Sequence, residues 1–272
     1  MTVAVQRPRL SLVGSLGRGV SRWVPALALI AALIALWEWA ATRGHLPISV
    51  AAPSEIREEF AANRDTLWFH TAPTMAAALK GYLVAAAAAL GLGIFVVLRP
   101  RVAGTVYSTA AIVSSIPLVA LTPVLVLWLD RGDTVRMTVA ALAGFFPILV
   151  GCIQGFTSTN VGHQELFAVM SARGWQQFLH LAMPSSMPFV FAGLKAAAAS
   201  AILGSIIAEW SGGGGTRGLG QMMTNALFGF NVPQTWLTIL TAAALSVGAY
   251  GIVAIIERVV VRWDHDHVEA GL

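Results

Sequence analysis

Residues 165–188 read "ELFAVMSARGWQQFLHLAMPSSMP". The stretch lies between two apolar runs of membrane-spanning length, about 134–156 and 187–209. It holds an acid, an arginine, a glycine, two glutamines, a histidine and two prolines, yet Phe, Leu, Met and Trp recur through it. Leu166, Phe167 and Met170 fall on or near one helical face. Trp175, Phe178, Leu179 and Ala182 fall on another, spaced by three and four. Gly174 separates the two groups, and Pro184 and Pro188 stop or kink the chain before the next span. Asn160 or Gly162 is placed to cap the start. The spacing predicts two short amphipathic helices at a sharp angle. Their apolar faces need a partner: lipid headgroups, the chain's own helix ends, or another subunit.

The surrounding chain fixes the solvent of the fold. Of 272 residues, 57% are hydrophobic and only 11% charged. Soluble domains carry about 25% charged residues, so this is an all-α integral membrane protein. A bilayer core of about 30 Å takes about 20 apolar residues per helix. Six spans can be read, at about 23–42, 72–98, 104–129, 134–156, 187–209 and 236–257. The transmembrane body is then 23–258, with polar tails at 1–22 and 259–272 and the loop of interest at 160–186. The first apolar run, from Trp23 to Ala41, exceeds the about 7–15 residues of a secretory h-region and predicts a retained span.

Other features narrow the function. The single cysteine, Cys152, excludes an internal disulfide. The net charge of +4 is small and scattered, which gives no nucleic-acid footprint. The basic residues read instead as topology signals. With the N-terminus in the cytoplasm, Arg7, Arg9, Arg18, Arg22, Arg99, Arg101, Arg173, Arg258 and Arg262 lie inside, and Arg43, Arg57, Arg64, Arg131, Arg136 and Arg217 lie outside. Both termini and the 160–186 loop then face the cytoplasm. "SGGGGTRGLG" (Ser211–Gly220) lacks the Gly-Lys-Ser/Thr ending of a nucleotide-binding loop and falls outside, where a flexible or re-entrant loop is expected. "DHDH" (Asp264–His267) reads as a solvated tail rather than a metal site. Ser54 is placed to cap a helix in the polar stretch 54–70. Gly81, Ala85, Ala89 and Gly93 recur every four residues, the pattern of closely packed membrane helices.

The loop resembles the "EAA loop" of ABC importer permeases: Glu-Ala-Ala, a Gly four residues later, and a Pro about thirteen beyond that. Glu165 takes the acid position and Pro184 the proline. Leu166 and Phe167 replace the alanines, and Ser171 stands where the glycine would be. The rest of the chain resembles the nitrate/sulfonate/taurine-type branch in order, over about 25–258. "APSEIREEF" (Ala52–Phe60), "SSIPLVALTPVLVLWL" (Ser114–Leu129), "FFPILVGCIQGF" (Phe145–Phe156), "GLKAAAASAILGSIIAEW" (Gly193–Trp210) and Gly218–Leu219–Gly220 carry it.

The resemblance implies a type I importer permease (MetI-like) fold with a cytoplasmic coupling helix. It implies a homodimer in the bacterial inner membrane, two ABC ATPase subunits inside and a solute-binding protein outside. ATP and Mg would belong to the ATPase, and this chain would need no cofactor, metal or catalytic residue. Glu165, Leu166, Phe167, Met170, Ser171, Trp175 and Pro184 would form the ATPase-coupling surface. The branch handles nitrate, sulfonates and taurine, and also pyrimidine and riboflavin-like solutes.

For the translocation path the residues offer Ser114, Ser115 and Pro117 in the third span, where prolines free backbone carbonyls. The alternative there is a serine-compensated kink. Glu209 ends the fifth span; it is expected either to line an outer gate or to hold the glycine-rich loop by accepting from its N–H groups. Glu38 and Lys80 are expected near span ends, and Lys195 paired with a carbonyl or carboxylate. Two other classes compete with a permease subunit. A stand-alone secondary transporter or channel needs no amphipathic docking loop, and a membrane anchor needs no proline-broken span.

Overall fold

The computed structural model describes residues 13–130, 132–157, 162, 166, 167, 169–171 and 174–261. Glu165, Asn160, Arg173, the tail residues 264–267 and most of the N-terminal tail lie outside the described residues. The chain divides into two compact units, Met1–Glu59 and Phe60–Leu272.

The first unit carries α1 (Val13–Thr42) and the start of α2 (Pro53–Ala62). The apolar window of α1 is Val24–Thr42, close to the predicted first span. Ser54 is not the cap of α2. It lies inside the helix, and its N–H and hydroxyl both donate to Glu38 of α1, at 3.0 and 2.7 Å. The orphan N–H groups of a helix start donate to any well-placed oxygen, and here a carboxylate from the preceding helix receives the Ser54 N–H. Glu38 is thereby a fixed acceptor.

The second unit is a helical bundle of α3 (Arg64–Leu98), α4 (Ala103–Ser114), α5 (Leu118–Leu129), α6 (Asp133–Thr157), α7 (Met183–Trp210), α8 (Leu219–Phe228) and α9 (Val232–Val260). Among the described residues, five helices are long and apolar enough to cross a membrane, or six if α4 and α5 count as one broken span. The predicted second span starts too late: α3 begins eight residues earlier and buries Leu67.

Without water to expel, membrane helices associate by close packing, and this sequence supplies it with small residues. Gly81, Ala85, Ala89 and Gly93 are all buried, on the face of α3 that meets α6. A Cβ on Gly81 would stand 2.6 Å from the Ala140 Cβ, and one on Gly93 would stand 2.7 Å from the Cys152 Cβ. Across the other face of α6, a Cβ on Gly193 would meet the Pro147 carbonyl at 2.6 Å. The stripe is the packing seam of α3, α6 and α7. Ala85, Ala89, Ile148, Leu149, Cys152, Val190 and Ala197 form its core.

Two predicted boundaries change. Pro184 and Pro188 do not end a helix; both lie inside α7. The residues before it, Gly174–Gln177 and a π-helical turn Phe178–Ala182, continue directly into it, so Trp175–Trp210 is one long helical span. Pro184 has no N–H to give the His180 carbonyl. The π turn reroutes the ladder at this point, with the Met183 N–H bonding to the Phe178 carbonyl. The second predicted short helix is therefore the start of the fifth span.

The third span breaks. α4 and α5 meet at 87°. Pro117 is extended (φ −63°, ψ 118°), as a proline and the residue before it favour. Ser114 and Ser115 both donate their hydroxyls to the Ala111 carbonyl, at 2.8 and 2.9 Å, where α4 ends. The Pro117 carbonyl then accepts from Ala120 and Leu121 to start α5.

Candidate functional site

At the bend of α4 and α5 lies an open cavity of about 690 Å³, walled by α3, α4, α5, α6 and α7. Its described lining is apolar, with Phe145 and Phe146 from α6 and hydroxyls from Thr105, Thr109, Ser114 and Ser200. Ile116, in the break itself, also lines it. Ser114 is thus a cavity residue. Ser115 and Pro117 are exposed in the non-helical link beside it. Irregular backbone at membrane depth is tolerated only where protein buries it or where it borders a water-filled space. Residues 115–117 are exposed on the single chain, and their backbone is hydrogen-bonded within it: the Ser115 and Ile116 N–H groups donate to carbonyls of α4, and the Pro117 carbonyl accepts from α5.

Glu209 stands elsewhere, at the end of the bundle where α3 and α6 begin and α7 ends. Its side chain is 0% exposed. It accepts from the Thr74 hydroxyl (2.8 Å to Oε1, 3.0 Å to Oε2) and from the Gly220 N–H (2.9 Å). Arg136 of α6, 5% exposed, lies 3.4 Å away and pairs also with Asp133. A second Arg136 bond runs to the Arg217 carbonyl at 3.0 Å. An isolated buried carboxylate would be prohibitive; three donors on three elements make it tenable.

The glycine-rich loop is laid onto this carboxylate residue by residue. The Arg217 guanidinium rests 4.1 Å from the Phe69 ring centroid. The Gly218 N–H donates to His70 Nδ1 at 3.2 Å. The Leu219 N–H donates to the Thr74 hydroxyl oxygen at 2.9 Å. Gly218 has φ +139° and passes so close to the Glu209 carboxylate that a Cβ would overlap it. Gly213 carbonyl accepts from Gly132 at 2.8 Å, tying in the α5–α6 link. The loop also contains α8, which buries Leu219, Met222 and Ala226. Of the two roles open to Glu209, holding the loop is the one its bonds perform.

Several of these partners escaped the sequence. Arg136 read as an exposed topology signal but is buried as the counter-ion of Glu209. Thr74, His70 and Asp133 gave no local signal. Lys195 pairs with Glu257 of α9 at 2.7 Å, with the Tyr250 ring 5.8 Å from its ammonium. Lys80 lies 3.8 Å from Asp133.

The profile of the family described as "Binding-protein-dependent transport system inner membrane component" matches residues 81–262. The chain belongs to this family. The formylaminopyrimidine transport permease protein of Halalkalibacterium halodurans is 28% identical over 85% of this chain and 92% of its own. The riboflavin transport system permease protein of Chloroflexus aurantiacus is 29% identical over 88% of this chain and 91% of its own. The taurine transport system permease protein of Escherichia coli is 23% identical over 74% and 75%. The chain is accordingly a multi-pass inner-membrane transport component of the ABC importer type.

In this transport component the segment before α7 carries an apolar surface. Leu166, Val169, Met170 and Trp175 are exposed, and Phe167 is half-buried. Trp175 leans on the buried Phe178 (ring centroids 5.4 Å), which in turn meets Phe156 of α6 at 5.7 Å. Trp175 is therefore anchored on the bundle on one side and open on the other. Ser171 has φ +52°, the left-handed region that favours glycine. It occupies the position where the resembled loop has its glycine, which gives that glycine a backbone reason. Pro184 is half-buried, nine residues along the helix from Trp175.

Proposed function

We propose that two copies of this chain form the membrane path of an ATP-driven importer. Two ATP-hydrolysing subunits sit on the cytoplasmic face, and a solute-binding protein delivers cargo from outside. Both termini face the cytoplasm, as the arginine distribution favours. The Glu209 cluster and α8 then lie outside, and residues 166–177 inside.

One observation carries the reading: the exposed break at Ser115–Pro117 beside a 690 Å³ cavity, in a chain of a transport family. A membrane anchor has no use for a proline-broken span beside an open cavity. Coupling enters at the other end. Leu166, Phe167, Met170 and Trp175 dock in a groove of the ATPase, with Glu165 and Ser171 shaping the turn. Movement there reaches the bundle through the continuous helix Trp175–Trp210, whose far end holds Glu209 and the outer loop. The chain itself performs no covalent chemistry, and ATP and Mg stay with the partner.

Cysteine accessibility tests the path. Cys152 is buried and serves as a silent background. Cysteines at Ser115 and Ile116 should react in intact membranes with a charged, water-soluble thiol reagent, and a cysteine at Leu127 on the exposed face of α5 should react far more slowly. Unreactive cysteines at both 115 and 116 in every nucleotide state would remove the path from this place.

A further inference from the structure

We propose that the turn between α3 and α4 holds the headgroup of an anionic phospholipid, with an acyl chain lying against Phe95 and Leu98. The site is separate from the transport path. Only its assignment to the cytoplasmic leaflet rests on the orientation proposed above.

The turn is built firmly from its sequence. α3 ends at Leu98, and the Arg99 N–H closes it on the Phe95 and Val96 carbonyls at 3.0 and 3.1 Å. Pro100 has no N–H to continue the helix, and it keeps Arg99 out of the helical region (φ −133°, ψ 68°). A single 3₁₀ turn follows, Pro100–Val102, with the Val102 N–H on the Arg99 carbonyl at 3.0 Å. Val102 and Ala103 then pack against the core that contains Val96. The apolar end of the turn is pinned in this way, and Arg99 and Arg101, on either side of the proline, are left exposed.

Both arginines border an open cavity of about 820 Å³, whose other described walls are Phe95, Leu98 and Val102. Phe95 and Leu98 are exposed and belong to the last turn of the apolar span Arg64–Leu98. Phe95 lies about 6 Å before Arg99 along the helix axis. The cavity therefore has a cationic end at the edge of the span and a greasy end within it. That is the order in which a phospholipid presents its phosphate and its acyl chains, and basic pockets at span ends are where anionic headgroups bind.

The two cations are also unmatched by the chain. Among the described residues, neither Arg99 nor Arg101 forms an ion pair. The described acids of the second unit are Asp65, Asp130, Asp133, Glu209 and Glu257. The first four stand in the far half of the bundle, and Glu257 is taken by Lys195 at 2.7 Å. A second copy in the same bilayer runs parallel to the first, so its far-half acids do not reach this turn. A free phosphate would use the arginines and leave Phe95 and Leu98 in water. An ATPase docks beyond the membrane surface and would leave the same two residues uncovered.

The test uses the full chain, purified and delipidated in detergent, with every variant checked for the wild-type elution profile. Native mass spectrometry measures binding of phosphatidylglycerol and of phosphatidylcholine. The variants are Arg99→Gln/Arg101→Gln and, as a control that removes as much charge elsewhere, Arg43→Gln/Arg258→Gln. A basic residue beside an anionic lipid adds about fivefold in affinity. The wild type and the control should prefer phosphatidylglycerol by about tenfold or more, and Arg99→Gln/Arg101→Gln should bind the two lipids alike. Equal binding of both lipids by the wild type, or a preference that survives Arg99→Gln/Arg101→Gln, overturns the site. Excess glycerol phosphate, an anion without chains, should not displace phosphatidylglycerol; full displacement would make this a soluble-anion site and overturn the lipid. Release of phosphatidylglycerol on adding the ATPase would assign the arginines to that partner and overturn the lipid as well, while leaving the transport reading intact.

Discussion

The Thr74 hydroxyl on α3 donates to Glu209 on α7, 2.8 Å away, while the same oxygen accepts from the Leu219 N–H at 2.9 Å. One side chain thus joins two spans and a loop. Thr74→Val removes the donor and the acceptor together and strands a buried N–H beside a buried carboxylate. The expected loss is about 1–3 kcal/mol, read as a lower melting temperature in detergent and faster proteolysis within 211–217. Thr74→Ser should behave as wild type.

Glu209 and Arg136 predict a larger effect. Removing one partner of a buried pair leaves the other charge uncompensated, at a cost of about 3–5 kcal/mol. Glu209→Ala and Arg136→Met should each fail to accumulate as folded protein, which fluorescence-detected size exclusion reads directly. Gly218→Ala should be nearly as damaging, because its Cβ has no room beside the carboxylate. A fully stable Glu209→Ala would mean that the loop is held by something other than this residue.

Lys195 and Glu257 form a partly buried pair between α7 and α9. The Lys195→Met/Glu257→Gln double variant should destabilise by less than the sum of the two single variants. A double-mutant cycle by thermal unfolding should return a coupling of about 0.5–3 kcal/mol. A coupling of zero would make the contact incidental.

Ser171 sits at φ +52°. A left-handed non-glycine residue costs about 1–2 kcal/mol, so Ser171→Gly should preserve coupling and stabilise the turn by about 1 kcal/mol. Ser171→Val, β-branched at the same angle, should uncouple ATP hydrolysis from uptake. Equal behaviour of the two variants would show that the turn is not needed in this shape.

Length and apolarity made the membrane spans legible, and Pro117 with its serines marked the place where the third one breaks. The spacing of Gly81, Ala85, Ala89 and Gly93 named the packing seam. What stayed hidden depends on distance in sequence or on competition between local signals. Arg136 and Glu209 are 73 residues apart, and nothing near either of them names the other. The glycines around residue 215 masked α8, which starts at Leu219, where Thr74 and Glu209 receive the Leu219 and Gly220 N–H groups. Pro184 and Pro188 signalled a stop, but a π turn absorbed the missing donor and the helix ran on. The segment before α7 was visible as greasy residues between two spans. That its second half is the root of the fifth span was not.

The central claim is that an ATPase drives this chain through residues 166–175. The most direct measurement is ATP-dependent uptake into proteoliposomes holding this chain, its ATPase and its solute-binding protein, with co-purification of chain and ATPase followed in parallel. The comparison is between the wild type and the Leu166→Ala/Phe167→Ala variant, neither residue of which is buried in the bundle core. The wild type should carry the ATPase with it and import solute, and the variant should fold normally but lose both. A variant that still binds the ATPase and imports at the wild-type rate would contradict the claim.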